Sequence, residues 1–189
     1  MKTIVFDAGP IINMTLNNLL DVFVSLRKSF DGKFYICENV RKELIDKPFS
    51  GKKYKFEALQ VMKLIEDKVL DVVDNNKIDE ISEHLLYLAN NCFSARKHPI
   101  TIVHAGEIQS LACAIYVGAD AVAIDERTTR MLVEDPKKLA EILSRKIHTN
   151  IKIDDKCINQ LKKEIGNTGA WKPCSPRPVL VAMKLKQIS

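Results

Sequence analysis

The chain has 189 residues, of which 46% are hydrophobic and 28% charged, a composition typical of one soluble domain with a real core. No signal peptide opens the sequence and no apolar run approaches the ~20 residues that cross a bilayer, which predicts a cytoplasmic protein without a membrane span. The five cysteines form no Cys-x-x-Cys pair, which argues against a zinc site and is typical of reduced thiols.

Short β-rich segments alternate with helical patterns along the first part of the chain. Strands are predicted at residues 2–6, 33–37, 69–73 and 121–124, and helices at residues 10–30, 39–46, 54–66, 77–93, 105–117 and 127–133. The strand cores are continuous apolar runs, as expected for strands that are buried on both faces of a sheet. The alternation predicts an α/β fold in which helices cover a parallel sheet.

The remaining segments are less regular. Residues 94–104 are the longest non-periodic stretch of the main body, and we predict a mobile loop there. Helices are predicted from Pro136 to about Lys146 and at residues 156–165. We expect residues 1–146 to form the main domain and residues 147–189 to form a basic extension packed on it, because about 40 residues rarely fold alone.

Positive charge is concentrated at the C-terminal end. Residues 1–134 hold 17 Lys and Arg against 19 Asp and Glu, whereas residues 135–189 hold 12 against 5, so the net charges of −2 and +7 give the chain its +5. Such a segment is suited to a polyanion, although lysines that merely solvate surface helices are the alternative. The predicted phosphate contacts are Lys152, Lys156, Lys162, Lys163, Lys172 and Arg177.

Four acids occupy comparable places in the pattern. Asp7 and Asp125 follow predicted strands, Glu43 lies on the helix after the second strand, and Glu107 opens the helix at residues 105–117. Acids that meet at one sheet edge indicate a divalent metal site, because repulsion and desolvation make such a cluster unstable without a cation. Hard oxygen ligands suit Mg²⁺ or Mn²⁺, which activate water for phosphodiester hydrolysis. For each acid, a surface salt bridge is the alternative role.

These motifs, in this order, resemble the PIN domain nucleases, the group that includes the VapC toxins and ribosomal-RNA-processing endonucleases. The resemblance covers roughly residues 1–134 and rests on Ile4-Val5-Phe6-Asp7, on Val40-Arg41-Lys42-Glu43-Leu44, on the Glu107 helix and on Ala121-Val122-Ala123-Ile124-Asp125 with its following Arg130. It implies a three-layer α/β/α fold with a central parallel sheet. It also implies that Asp7, Glu43, Glu107 and Asp125 are the catalytic and metal-binding residues.

Two positions depart from the family pattern. Family members often carry a small hydroxyl or amide residue two places after the first Asp, and Thr or Ser two places before the last one, where this chain has Gly9 and Ala123. A supporting contact to the ligands is therefore expected to be missing. Glu126 is a candidate to share the fourth acidic position.

For other residues near these motifs, the sequence leaves two roles open. His104 is a candidate proton shuttle or the polar entry to its helix. Thr128 and Arg130 are predicted substrate contacts, with N-capping and pairing to a carboxylate as their alternatives. The chain has no P-loop motif, and Asp7-Ala8-Gly9 lacks the second acid of the haloacid-dehalogenase phosphatases.

The sequence therefore predicts a metal-dependent endoribonuclease, either a toxin of a toxin–antitoxin pair or an RNA-processing enzyme. The alternative is a non-catalytic RNA-binding or scaffold protein, which Gly9 and Ala123 favour and the four retained acids oppose. The resemblance implies RNA as the substrate, a homodimer, and an antitoxin or ribosome-processing partner.

Overall fold

The computed structural model describes residues 2–166, which contain seven strands and ten α-helices. In chain order these are β1 (Lys2–Phe6), α1 (Ala8–Leu16), α2 (Leu20–Ser29), β2 (Gly32–Cys37), α3 (Glu38–Arg41), a π-helical turn (Lys42–Asp46), α4 (Lys47–Ser50), α5 (Lys55–Glu66), β3 (Asp71–Val73), α6 (Asn76–Asn91), β4 (Phe93–Ala95), β5 (His98–Pro99), α7 (Ala105–Val117), β6 (Ala121–Ala123), α8 (Arg127–Glu134), α9 (Pro136–Ile147), β7 (Ile151–Ile153) and α10 (Asp155–Gly166).

The central sheet is parallel throughout and has the strand order β3-β2-β1-β6. The chain moves from β1 to β2 and β3 on one side, and β6 then returns to the other side of β1. The strand order thus reverses between β1 and β6, which is where open α/β sheets bind their ligands, beyond the carboxyl ends of the strands. Helices flank the sheet in three α/β/α layers, which confirms the predicted fold class.

Aromatic packing fixes β1 and β2 against α2. The rings of Phe6 and Phe34 lie 4.9 and 5.2 Å from the ring of Phe23, between centroids, and 5.2 Å from each other. Such tilted and edge-on pairs stabilise a core by ~0.5–1.5 kcal/mol beyond the area they bury. The strand end that precedes Asp7 is therefore rigidly held.

The predicted helix at residues 10–30 is wrong in one respect, because two helices occupy this stretch. Asn18, between α1 and α2, has a left-handed backbone with φ of 54°. Asparagine tolerates this conformation better than most residues, so the chain turns here without glycine. The predicted helix at residues 39–46 continues to Ser50 through the π-helical turn.

The predicted loop at residues 94–104 is wrong in its first half. β4 and β5 form a hairpin whose two turn residues, Arg96 and Lys97, both have positive φ. This is the type I′ geometry that Asn-Gly or Gly-Gly normally marks, so the usual sequence signal is missing. The side chain of Asn90 then holds the following segment by accepting hydrogen bonds from the N–H groups of Ile102 and Val103.

Residues 151–166 are joined to the body at two places. β7 pairs antiparallel with β4 in a second sheet of order β5-β4-β7, and α10 packs against α6. Ile158, Leu161 and Ile165 of α10 are buried. Within the described residues, none of the helices combines the length and apolar character needed to cross a bilayer. The predicted phosphate contacts Lys172 and Arg177 lie outside the described residues.

Candidate active site

Asp7 lies at the end of β1, where the chain enters α1. Its N–H group donates to the Ala123 carbonyl of β6 at 2.9 Å, which fixes Asp7 at the crevice between the two strands. Asp7 occupies the N-cap position of α1, but its side chain makes no capping hydrogen bond. Instead Asp7 Oδ1 accepts a hydrogen bond of 2.8 Å from the hydroxyl of Ser110, a fully buried residue of α7.

The environment of Asp7 disfavours its charge. Burial raises the pKa of the Asp7 carboxyl above its usual value, and the negative charge of Glu43 adds to the rise. The hydrogen bond from Ser110 and the nearby N–H groups of Ala8 and Gly9 act in the opposite direction without cancelling it. Among residues 2–166, no Lys, Arg or His forms an ion pair with Asp7. A half-buried carboxylate in this state is one that a bound cation would stabilise.

Asp125 reaches the same crevice from the end of β6. Its Oδ2 accepts a hydrogen bond of 2.8 Å from the amide nitrogen of Asn13, on α1. A Cβ atom on Gly9 would lie 3.0 Å from Asp125 Cβ, so the first turn of α1 approaches Asp125 closely only because residue 9 has no side chain. Asn13, one turn further along the helix, supplies the amide that is absent at position 9.

Glu43 lies on the π-helical turn that follows β2. Its carboxylate is exposed, and Oε2 lies 3.7 Å from Lys47 Nζ. Arg41 and Asp46 are five positions apart in the chain, and their side chains form two hydrogen bonds of 2.9 and 3.1 Å because the wider π turn brings residues i and i+5 together. The same guanidinium holds Glu38 and keeps the pKa of that carboxyl below its usual value. Single π turns are frequent at functional sites.

Glu107 is partly engaged by its own helix. Its Oε2 accepts a hydrogen bond of 2.9 Å from the backbone N–H of His104, which is the N-cap residue of α7. His104 thus occupies the N-cap position of the helix, as its alternative role required, and its role as a proton shuttle stays a prediction. Ser110 lies one turn after Glu107, on the face that meets Asp7.

The start of α8 is capped by a carboxylate. Glu126 is the N-cap residue, and its side chain accepts a hydrogen bond from the Thr129 N–H group. Burial acts to raise the pKa of Glu126, but the N–H groups of Thr129 and Thr128, together with their hydroxyls, outweigh it, and the pKa is lowered. A negative charge thus occupies the helix end near Thr128, which is a predicted substrate contact. Arg130 Nε lies 3.8 Å from Glu134 Oε2, a contact along the helix.

The donor chemistry of the site suits Mg²⁺ or Mn²⁺, since every candidate ligand is a carboxylate oxygen. The raised pKa of Asp7 is a further observation in favour of a cation. However, residues 2–166 contain no group of three or more His, Cys, Asp or Glu side chains placed to hold a metal ion. To bind a metal, Glu43 would have to leave its contact with Lys47, and Glu107 would have to give up the hydrogen bond from the His104 N–H. The carboxylates therefore suit a divalent metal chemically, but their side chains are not already placed around a common metal position.

Sequence reasoning missed Ser110 and Asn13. Ser110 lies three residues after Glu107, a spacing that places both on one side of a helix, so its position was accessible from the sequence. Asn13 gave no such signal, because its contact with Asp125 joins residues that are 112 positions apart.

A groove of about 700 Å³ opens beside the candidate site. It lies between α1, the π-helical turn, α4 and α5, and it touches the candidate residues only at Glu43. Apolar side chains such as Ile12, Leu44 and Val61 line it, and Lys47 and Lys52 stand among them.

Comparison with known proteins places the chain in a family. The family model described as PIN domain matches residues 3–137, which is most of the chain. Searches of curated proteins and of solved structures found no match. The match includes Asp7, Glu43, Glu107 and Asp125 and ends after α8. With a nuclease-type α/β/α fold and a family match over residues 3–137, the chain belongs to the PIN domain family.

Proposed function

We propose that the protein is a metal-dependent endoribonuclease that hydrolyses RNA phosphodiester bonds at the crevice between β1 and β6. PIN domains are generally nucleases. The observation that carries the proposal is Asp7, a half-buried carboxylate with a raised pKa and no cationic partner within residues 2–166. A structural carboxylate at this depth would be expected to pair with a cation.

The residues that would hold Mg²⁺ or Mn²⁺ are Asp7 and Asp125, joined by Glu43 and Glu107. When bound, the metal supplies Lewis-acid stabilisation of the charge that develops on the phosphate and lowers the pKa of a water molecule. The burial of Asp7 and the charge of Glu43 disfavour the ionised carboxylate, and a bound cation would offset both effects. Ser110 and Asn13 orient Asp7 and Asp125, respectively, through hydrogen bonds of 2.8 Å.

RNA binding is supported by the charge of the C-terminal extension. Lys152, Lys156, Lys162 and Lys163 are exposed on β7 and α10, so their ammonium groups are free to contact phosphates. Thr128 and Arg130 remain proposed substrate contacts near Asp125. The capping of α8 by Glu126 means that neither contact would use the N-terminal dipole of that helix.

The second candidate is a non-catalytic RNA-binding or scaffold protein with the same fold. One observation favours it: the side chains of residues 2–166 form no ready group of three metal ligands. Such a protein would keep the basic extension as its interface and would show no response to divalent metals.

The biological setting is part of the proposal. The enzyme acts either as a toxin with an antitoxin partner or as an RNA-processing enzyme with a ribosome-processing partner, as a cytoplasmic homodimer. The toxin, RNA-processing, partner and homodimer assignments rest on the resemblance to the family.

The test is incubation of the pure protein with a mixed pool of structured RNAs, in Mn²⁺ and in EDTA, with mapping of the ends produced. We expect discrete new ends in Mn²⁺ and none in EDTA. A parallel melting curve distinguishes the two candidates, because a metal that binds only the folded state raises the melting temperature by mass action. Bound RNA without cleavage, and no Mn²⁺-dependent rise in melting temperature, would favour the scaffold.

A further inference from the structure

Two cysteines meet where the C-terminal helix joins the body. Cys92 Sγ and Cys157 Sγ lie 2.7 Å apart, although the residues are separated by 65 positions in the chain. A covalent sulfur–sulfur bond is ~2.05 Å long, so the two atoms are within ~0.7 Å of bonding distance. Both thiols are free in this structure.

Backbone hydrogen bonds on both sides hold the two cysteines close together. Cys92 is the C-cap residue of α6, and its carbonyl accepts a hydrogen bond of 2.9 Å from the Asp154 N–H, at the start of α10. The next residue, Phe93, pairs with Ile153 in the second sheet. The Cys157 thiol also donates to the Leu88 carbonyl at 3.2 Å. The backbone on both sides of the pair is therefore fixed before any bond forms.

From this juxtaposition we propose that Cys92 and Cys157 form a reversible disulfide that fastens α10 to α6. The site is separate from the Asp7 crevice, and the inference does not depend on nuclease activity. Its oxidant is a low-molecular-weight disulfide such as oxidised glutathione, which exchanges with protein thiols.

The exposure of the two cysteines sets the order of the reaction. Cys157 is partly exposed and would attack first, as its thiolate, on one sulfur of the small disulfide; the S–S bond of that molecule breaks and one small thiolate leaves. Cys92 then attacks Cys157 Sγ, and its proton passes to the second small thiolate as that thiolate leaves. In the net reaction two protein thiols are oxidised to one disulfide while one small disulfide is reduced to two thiols.

Cys92 takes the second step because its thiol is the less reactive of the two. Burial raises its pKa well above the usual range, and the neighbouring Cys157 adds to the rise, so Cys92 stays protonated and does not react first with a small disulfide in solution. Once Cys157 carries a mixed disulfide, the low reactivity of Cys92 is offset by its position, because its attack on Cys157 Sγ is intramolecular. Cys37 and Cys113, which are buried in the core, lack such a contact between their sulfurs within the described residues.

The disulfide would restrain the unfolded chain by closing a long loop between α6 and α10. Stabilisation of the size typical for disulfides corresponds to a rise in melting temperature of roughly 4–16 °C for a chain of this length. Because α6 packs against α7, the bond would also secure the extension to the helices beside the sheet.

The experiment uses the full chain, incubated with oxidised glutathione or with dithiothreitol, followed by non-reducing peptide mapping and thermal melting. Cys157→Ser is the test variant, because its hydroxyl keeps a donor for the Leu88 carbonyl and leaves the fold intact. Cys174→Ser is the control, since it removes a thiol outside the described residues and spares the pair.

We expect a peptide linked through Cys92 and Cys157 in the oxidised wild type and in Cys174→Ser, together with the rise in melting temperature, and reversal of both by dithiothreitol. Cys157→Ser should lack the linked peptide and the rise. Free or separately glutathionylated Cys92 and Cys157, a linkage through another cysteine, or a linked pair without a rise in melting temperature would each overturn the proposal.

Discussion

The hydroxyl of Ser110 donates a hydrogen bond of 2.8 Å to Asp7 Oδ1, from a fully buried position on α7. This contact joins the helix that carries Glu107 to the carboxylate at the end of β1. It favours the ionised form of Asp7, which burial and the charge of Glu43 disfavour. Ser110 therefore orients the residue on which the site depends and opposes the rise in its pKa.

Ser110→Ala should lower the free energy of unfolding by about 1.5–3 kcal/mol at pH 7, because a buried hydrogen bond to a charged group is lost. The measurement is urea unfolding of the variant in two backgrounds, wild type and Asp7→Asn. In the Asp7→Asn background the loss should be smaller by at least about 0.5 kcal/mol, since the acceptor is no longer charged. Equal losses in both backgrounds would show that Ser110 acts by packing alone.

Asn13→Ala should impair the site while sparing the fold. The amide of Asn13 holds Asp125 Oδ2 at 2.8 Å, and removing such a support for a metal ligand typically costs about 10- to 100-fold in metal affinity or activity. Stability should change by less than about 1 kcal/mol, because the hydrogen bond is exposed. Mn²⁺ titration followed by melting temperature measures the effect.

Asn17→Ala is the matched control for this prediction. Asn17 is the C-cap residue of the same helix, and its side-chain amide donates a hydrogen bond of 2.7 Å to the Asn13 carbonyl. Its Mn²⁺ response should equal that of the wild type. A wild-type response from Asn13→Ala as well would remove Asn13 from the site.

Asp46→Asn should weaken the Arg41 contact that spans the π-helical turn. The pair is partly exposed, so the expected loss of stability is below about 1 kcal/mol. The rate of RNA cleavage should nevertheless fall clearly, because the π-helical turn positions Glu43. Asp21→Asn, in an exposed position on α2, is the control and should match the wild type in both assays. Unchanged cleavage by Asp46→Asn would mean that the position of Glu43 does not depend on this contact.

Glu126→Ala should produce a pH-dependent loss of stability. The pKa of Glu126 is lowered in the folded protein, so its contribution is fully present above the usual value of 4.5 and is lost as the pH falls through the folded pKa. At pH 7 the variant should be about 1 kcal/mol less stable, as expected for a lost N-cap. Denaturant unfolding between pH 7 and pH 3 should show the gap closing. A gap independent of pH would contradict the capping role.

The sheet and most helices were predictable because each strand is a short apolar run between clear helical patterns. The bounds of β1 and α7 match the predicted residues 2–6 and 105–117. Two of the errors occur where polar residues adopt left-handed backbone: Asn18 divides α1 from α2, and Arg96 and Lys97 turn the hairpin. Single-residue conformations of this kind have no periodic signal, and they were therefore invisible in the pattern.

The candidate site was predictable to the level of strand ends but not of side-chain partners. Asp7 and Asp125 meet at one crevice because parallel strands end at a common edge. The expected gap left by Gly9 is filled by Asn13, a contact that only the tertiary fold creates. Likewise, the Glu107 carboxylate caps α7 by accepting a hydrogen bond from the His104 N–H, and this local contact competes with metal binding by Glu107.

The most direct test of the central claim is Asp7→Asn, measured by RNA cleavage in Mn²⁺ and by metal-free melting at pH 7. The pKa of Asp7 is raised from 3.8, so folding loses stability as the pH rises from that value through the folded pKa, and the penalty is complete above it. Asparagine removes the penalty at nearly constant volume and still accepts the Ser110 hydrogen bond. The account predicts that cleavage disappears while the melting temperature holds or rises. A variant that is destabilised by about 1–3 kcal/mol but still cleaves RNA would contradict it.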